Sequence, residues 1–187
     1  HANRAHSLLS ASGSHRWLAC PPSARLAEHF ESTSSEAARE GTAAHELMEA
    51  RLNLALGLIS AKEAHKQIAK AEASEYFNGE MDEHIDYVVS EMTEYVQQLK
   101  AVYGDKAVTV YLETQFDLSD YVPDCDKVTG DITILYPGTI ELRDLKYGRG
   151  VQVFAKDNPQ LLMYALGALL KYGKGLEIET VKTSIIQ

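Results

Sequence analysis

Residues 129–150 read TGDITILYPGTIELRDLKYGRG, and this pattern predicts a β-hairpin. Polar and apolar residues alternate on both sides of a central Pro-Gly pair, as they do in half-buried strands joined by a short loop. The second predicted strand is unusual, because Asp144 and Lys146 fall on the same face as Ile140 and Leu142. Charges on an apolar strand face need a compensating partner, so the hairpin is the first place to look for a site.

The hairpin pairing brings two carboxylates together. Counting outward from a Tyr136–Thr139 pair places Asp131 opposite Asp144, unless a bulge shifts the register. Like charges on directly opposed strand residues are destabilising, and a divalent cation would compensate them. Oxygen ligands of this kind suit Mg²⁺ or Mn²⁺, and Lys146 could hold a phosphate or a water beside the ion. The alternative is a surface hairpin with a solvated Asp144–Lys146 neighbour pair.

The remaining pattern predicts an α/β fold with a central mixed β-sheet flanked by helices. Helical periodicity runs through residues 36–104, with Thr42 capping a helix that ends near Gly57 and a peripheral helix over 60–79 that ends near Asn78. A long amphipathic helix follows from residue 81 to 103, and its apolar stripe is core. Strands are predicted over 108–116 and 179–187, and a buried helix begins at Asn158 and Pro159.

Length and composition indicate one globular domain over 1–187, divided into a loop-rich segment 1–35, a helical part 36–104 and a part 105–187 that carries the sheet and the last helix. The net charge of −9 argues against a protein that coats nucleic acid, so contact with DNA would require a local basic groove or a bound cation. No apolar run approaches the length of a membrane helix. Two cysteines and no signal-peptide pattern favour an intracellular protein without disulfides.

Two further polar residues stand out against their elements. His45 lies at the edge of the apolar stripe of its helix, beside Met48 and Leu52, and is expected to face inward. Glu113 lies on the strand that precedes the hairpin and is a candidate additional acidic group. An ordinary solvated strand position explains Glu113 equally well.

Four short motifs, in order, resemble those of RecB-like nucleases in the PD-(D/E)XK superfamily. They are Gly41-Thr42-Ala43-Ala44-His45, Gly130-Asp131, Asp144-Leu145-Lys146 and Gln160-Leu161-Leu162-Met163-Tyr164. The stretch 10–21 further resembles a phage and prophage branch of that family, related to the CRISPR-associated RecB-like exonucleases. The resemblance implies a restriction-endonuclease-like core preceded by an N-terminal helical segment.

The resemblance also implies a role for each motif residue. The metal ligands would be His45, Asp131, Asp144 and the backbone carbonyl of Leu145. The catalytic residues would be Asp131, Asp144 and the catalytic lysine Lys146, with Gln160 and Tyr164 orienting the DNA or the active-site groups from one helix face. The alternatives are a core His45 without metal, a capping Gln160 and a packed Tyr164.

The activity implied is a Mg²⁺- or Mn²⁺-dependent DNA nuclease, an exonuclease of phage recombination or DNA end processing. It would be phage- or prophage-encoded, act in the bacterial cytoplasm on DNA and work beside phage recombination proteins. One rival is a catalytically silent DNA-binding or recombination scaffold, and another is an RNA-directed or structural phage protein. Nothing in these residues encodes cleavage polarity, strand preference or oligomeric state.

The cysteine pattern departs from the iron–sulfur relatives, which add three cysteines near the C-terminus to one that Cys20 matches. This chain has none after Cys125, so no iron–sulfur cluster is expected in it. Either the chain is truncated at the C-terminus or this member lacks the cluster. In the latter case Cys20 is expected to be an ordinary buried thiol.

Overall fold

The computed structural model of the chain describes residues 7–30, 35–148 and 152–187. The helices are α1 (Ser14–Ala19), α2 (Pro22–Ala27), α3 (Glu36–Ala55), α4 (Ala61–Glu72), α5 (Gly79–Tyr103) and α6 (Pro159–Tyr172). The strands are β1 (Thr109–Phe116), β2 (Val128–Tyr136), β3 (Thr139–Leu145) and β4 (Thr180–Ile186). The predicted order of helices, three strands, one helix and a last strand is therefore confirmed.

The four strands form one mixed sheet in the order β1-β2-β3-β4. The first three strands are antiparallel neighbours, and β4 lies parallel to β3 after the crossover through α6. The predicted hairpin register is confirmed from Tyr136↔Thr139 to Ile132↔Arg143. Gly138 in the loop has a φ of 73°, a conformation that glycine adopts without steric cost.

Helices cover both faces of the sheet. On one face, α3 and α5 pack on a core that includes Leu47, Ile85 and Ile134. On the other, α6 packs on a core that includes Phe116 and Leu142. The chain is thus an α/β fold with a mixed sheet flanked by helices.

The predicted start of α3 is wrong. The helix begins at Glu36, where the side chain of Ser35 caps it by accepting a hydrogen bond from the N–H of Ala38. Thr42 lies inside the helix, and its hydroxyl donates to the carbonyl oxygen of Ala38 instead of capping. Glu36 in the first turn also complements the helix dipole, which makes the earlier start the better one.

The predicted end of the peripheral helix is also wrong. Helix α4 ends at Glu72, and Asn78 caps the next helix by accepting a hydrogen bond from the N–H of Met81. An Asn followed by acidic residues in the next turn is typical of a helix start, and Asn78 has this role at the start of α5.

Cys20 is exposed, contrary to the expectation of a buried thiol, because it lies in the turn between the short helices α1 and α2. Cys125 is buried, and burial raises the pKa of its thiol to about 11. In the described ranges, no helix combines the length and the apolar content that crossing a bilayer requires.

Candidate metal centre

Helix α3 places His45 beside the middle of β1 and β2. Its Nδ1 atom lies 3.4 Å from Oδ2 of Asp131 on β2 and 4.0 Å from Oε1 of Glu113 on β1. The imidazole is partly exposed, so it lies at the rim of the core and not inside it. His45 therefore faces inward, as its place beside the apolar stripe predicts.

The two carboxylates lie where β1 and β2 change faces. Val110 belongs to the core under α3 and α5, whereas Phe116 belongs to the core under α6, although a regular strand would put both on one face. The pairing of β1 with β2 continues on either side, at Leu112↔Ile132 and at Thr114↔Gly130, which leaves Glu113 between them. Glu113 has a φ of 46°, so the face change in β1 coincides with a left-handed residue.

Gly130 precedes Asp131 for a packing reason. A Cβ atom on Gly130 would lie 3.1 Å from the ring of Phe116, and a Cβ atom on Gly167 of α6 would lie 2.5 Å from Cβ of the same residue. Phe116 is thus held between two glycines, one on the sheet and one on the helix. The Gly130-Asp131 motif places a carboxylate directly beside this close contact.

Asp131 is buried and anchored by the hairpin backbone. Its Oδ2 atom accepts a hydrogen bond of 2.7 Å from the N–H of Leu145. Burial, together with the charge of Asp144, raises the pKa of Asp131 to about 6, against lowering contributions from His45, the Leu145 N–H and Lys146. The effect of Asp144 is the repulsion expected from the hairpin register.

Glu113 is the most perturbed acid of the cluster. Burial raises its pKa to about 8, and the charges of Asp131, Glu49 and Asp144 add to the rise. Its Oε1 atom is buried and has no hydrogen-bond partner among the described residues. The Glu113 side chain as a whole is 33% exposed, so one carboxylate oxygen is buried while the rest of the side chain reaches solvent.

His45, Glu113 and Asp131 form a group that could hold a metal ion. One ligand atom from each lies within 4.8 Å of the other two. An imidazole nitrogen with two carboxylates is a donor set that divalent cations accept, and a buried, unpartnered carboxylate oxygen gains a partner when a cation binds. The donor chemistry and the burial both fit such an ion, while its identity is not shown.

Asp144 and Lys146 form the second half of the site. Lys146 Nζ lies 2.8 Å from Oδ2 of Asp144, an ion pair whose angles fall outside hydrogen-bond geometry, and Asp144 is 1% exposed. Lys146 Nζ also donates to Oε1 of Gln160, whose amide nitrogen donates to Oδ1 of Asp144 and to the hydroxyl of Tyr164. One side-chain network thus joins the end of β3 to α6.

The structure brings most of the residues singled out from the sequence together, beside the middle of β1 and β2 and the C-terminal end of β3. Asp144 lies outside the three-residue metal group, so its role as a ligand stays a prediction, as does that of the Leu145 carbonyl. Glu49, one helical turn beyond His45, was not predicted from the sequence, and its charge acts on Glu113. The i, i+4 spacing on α3 is the signal that could have found it.

The family model that matches this chain is described as "Protein of unknown function (DUF2800)" and covers residues 6–187. The chain belongs to the DUF2800 family. The match spans α3, the hairpin and α6. Every residue of the site described above therefore lies within the part of the chain that the DUF2800 family model matches.

Proposed function

We propose that this DUF2800 chain is a divalent-metal-dependent DNA nuclease with a RecB-like PD-(D/E)XK core. The observation that carries the proposal is the convergence of a His/Glu/Asp group with an Asp-x-Lys pair on one mixed sheet. These are the residue types that phosphodiester hydrolysis needs, namely ligands for a hard cation and a lysine for the phosphate. The motif resemblance supports the same assignment.

The protein would hold the ion through His45, Glu113 and Asp131, with Asp144 as a further ligand. Mg²⁺ or Mn²⁺, when bound, supplies charge neutralisation at the phosphate and activation of water. The Leu145 N–H fixes the Asp131 carboxylate, which keeps this ligand in one orientation. Together these contacts explain why the Asp131 carboxylate can remain buried at the end of a hairpin.

Lys146 would act on the substrate. Hydrolysis forms a bond between phosphorus and a water oxygen and breaks the ester bond to the leaving oxygen, which takes up a proton while the water loses one. An ammonium group within reach stabilises the charge that develops on the phosphate oxygens. Gln160 and Asp144 fix the Nζ atom of Lys146, so the network from α6 acts as a support for the lysine.

The proposal includes exonuclease action in phage recombination or DNA end processing, as the family resemblance implies. Cleavage assays on linear and covalently closed circular DNA test both the chemistry and the mode. We expect Mn²⁺ or Mg²⁺ to support degradation of linear DNA, EDTA to stop it and closed circles to resist it. Lys146→Ala should abolish cleavage, whereas Lys62→Ala, an exposed lysine on α4, should not.

Two outcomes would contradict parts of the proposal. Equal degradation of circles and linear DNA would make the enzyme an endonuclease. Retention of DNA without cleavage under any metal would favour the silent DNA-binding scaffold.

A further inference from the structure

A cavity of about 970 Å³ opens beside Lys146. Its described wall combines the N-terminal parts of α3 and α5 with residues 146–148, 152–153 and 187. Lys146 is the link to the candidate metal centre, because its Nζ atom contacts both Asp144 and Gln160. A volume of this size lies at the upper end of the range, ~300–1,000 Å³, in which small-molecule sites are found.

Two aromatic rings form part of the cavity wall. His84 on α5 and Tyr147, the residue after Lys146, lie with their ring centroids 5.5 Å apart and their planes at 54°. The Nε2 atom of His84 is buried and has no hydrogen-bond partner within the part of the chain that the structure describes. Aromatic faces beside a cation are the wall that nucleic-acid proteins use to stack a base while holding its phosphate.

The charged residues of the cavity wall are distributed unevenly. Among the described residues that line it, Lys146 is the one Lys or Arg, whereas Glu40 and Glu80 are acidic. Of these three charges, that of Lys146 attracts a phosphate, whereas those of Glu40 and Glu80 repel it. Carboxylates accept hydrogen bonds from amino groups, which nucleobases carry and phosphates lack.

We propose that this cavity binds one nucleoside monophosphate unit, with its phosphate at Lys146 and its base against Tyr147 and His84. The site accepts the free nucleotide or the same unit at the end of a DNA strand. The claim that this cavity holds the end of a DNA strand rests on the proposed nuclease function. A strand end held there would carry a phosphate to Lys146, the residue that joins the cavity to the metal centre.

Binding is measured first without metal, in EDTA, so that a cation cannot bridge protein and phosphate. The probes are deoxyadenosine monophosphate, deoxyadenosine and inorganic phosphate, titrated by calorimetry. We expect the nucleotide to bind more tightly than either of its parts. Equal affinity for the nucleotide and for inorganic phosphate would overturn the proposal, because the base would then contribute nothing.

Substitutions in the cavity wall test which aromatic residues contact the base. Tyr147→Ala and His84→Ala should each weaken nucleotide binding by about tenfold, the loss of one base–aromatic contact, and Tyr147→Phe should restore it. Tyr87→Ala removes a ring that is 63% exposed on the same helix as His84 and should change nothing. If Tyr147→Ala and Tyr87→Ala bind alike, the assignment is wrong. If Tyr147→Ala does not fold, His84→Ala and the wild-type ranking of the three probes decide.

Competition separates a strand end from an internal nucleotide. A linear 5′-phosphorylated single strand should displace deoxyadenosine monophosphate, while a circular single strand of the same sequence should not. Equal displacement by the circle overturns the end-binding claim. Nucleotide binding without any metal-dependent cleavage would defeat only the nuclease proposal, and cleavage without nucleotide discrimination would defeat only this site.

Discussion

Glu113 combines backbone strain with an electrostatic cost. A non-glycine residue with a φ of 46° inside a strand is a rare conformation, whose cost is on the order of 1–3 kcal/mol. The same residue carries a buried oxygen without a hydrogen bond and a pKa raised to about 8 by burial. Strain of both kinds at one residue, next to His45 and Asp131, is typical of a site that is completed by a ligand.

Glu113→Gln should therefore change stability in opposite directions without and with metal. Without metal at a pH above 8, glutamine removes a buried charge that burial disfavours and that repels Asp131, so the melting temperature should rise. With Mn²⁺, the wild type gains ~2.7 kcal/mol at a hundredfold excess over Kd, and the variant should lose most of this increment together with an anionic ligand. Thermal melting of both proteins with Mn²⁺ and with EDTA measures the two effects.

The matched control for Glu113→Gln is Glu91→Gln, an exposed acid on α5. It should alter neither the metal-free melting temperature nor the metal-induced rise. A full wild-type rise in Glu113→Gln would show that Glu113 does not bind the ion.

The raised pKa values predict how metal-free stability depends on pH. Folded Glu113 and Asp131 hold their protons to about pH 8 and about pH 6, above the ordinary values of 4.5 and 3.8. Between each pair of values the folded state binds more protons than the unfolded state, so stability falls as pH rises through that window. The stability difference between wild type and Glu113→Gln should thus appear from about pH 4.5 and be complete above about pH 8.

A pH series of melts in EDTA tests this dependence. The metal-induced rise should show the opposite trend and grow over the same window, because protons compete with the cation for the carboxylates. A difference between the two proteins that is constant from pH 4 to pH 9 would contradict the assigned pKa of Glu113.

The close approach of α6 to β1 depends on Gly167, which has no Cβ atom to meet Phe116. Gly167→Ala would bring a methyl group to 2.5 Å from Cβ of Phe116, a fully packed position, and overpacking of this kind costs ~1–3 kcal/mol. The helix propensity of alanine offsets at most ~1 kcal/mol of that cost. Gly167→Ala should accordingly lower the melting temperature, and denaturant unfolding should give the same sign.

Gly41→Ala is the matched control on a second helix. A Cβ atom there meets nothing within 4 Å, so alanine should stabilise α3 by up to ~1 kcal/mol. Equal effects of the two substitutions would mean that the Phe116 contact does not limit the approach of α6 to the sheet.

The β2–β3 hairpin was predictable in detail from the sequence, whereas the pairing of β1 with β2 was not. The short Pro-Gly loop fixes the register of β2 with β3, so the pairs from Tyr136↔Thr139 to Ile132↔Arg143 follow from counting residues. This ladder ends one position before Asp131 and Asp144, and the effect of the Asp144 charge on Asp131 shows that the two acids are near each other. Between β1 and β2 lie residues 117–127, which contain no tight hairpin turn and leave the register open. The place of Glu113 depends on that register and on a left-handed residue, and neither has a signal in the sequence.

The helix ends show a second limit. Ser35 and Thr42 are both acceptable caps by residue type. Residues 36–39 are exposed, so packing against the core does not decide between the two starts. The Ser35 cap and the acidic Glu36 that follows it favour the earlier start.

The candidate centre assembles only in the complete fold. Its side chains come from α3, β1, β2, β3 and α6, which lie on both sides of the sheet and span most of the described chain. The carboxylates also concentrate negative charge at the end where a polyanion would have to bind. The net charge of −9 on the whole chain adds to the repulsion of a polyanion.

DNA binding should for this reason depend on the ion. With metal absent and at a pH above about 8, Glu113 and Asp131 are both ionised and repel the phosphate backbone, whereas a divalent cation reverses the local sign. The catalytically impaired Lys146→Ala variant allows retention to be measured without degradation, and it isolates the contribution of the ion because it also lacks the ammonium group proposed to hold a phosphate. We expect this variant to retain a linear DNA in a gel-shift assay with Mn²⁺, to release it in EDTA, and to lose the Mn²⁺-dependent part of the retention when Glu113→Gln is added. Equal retention in Mn²⁺ and in EDTA would show that DNA is held by a surface remote from these carboxylates, and the metal centre would then have no part in binding the substrate.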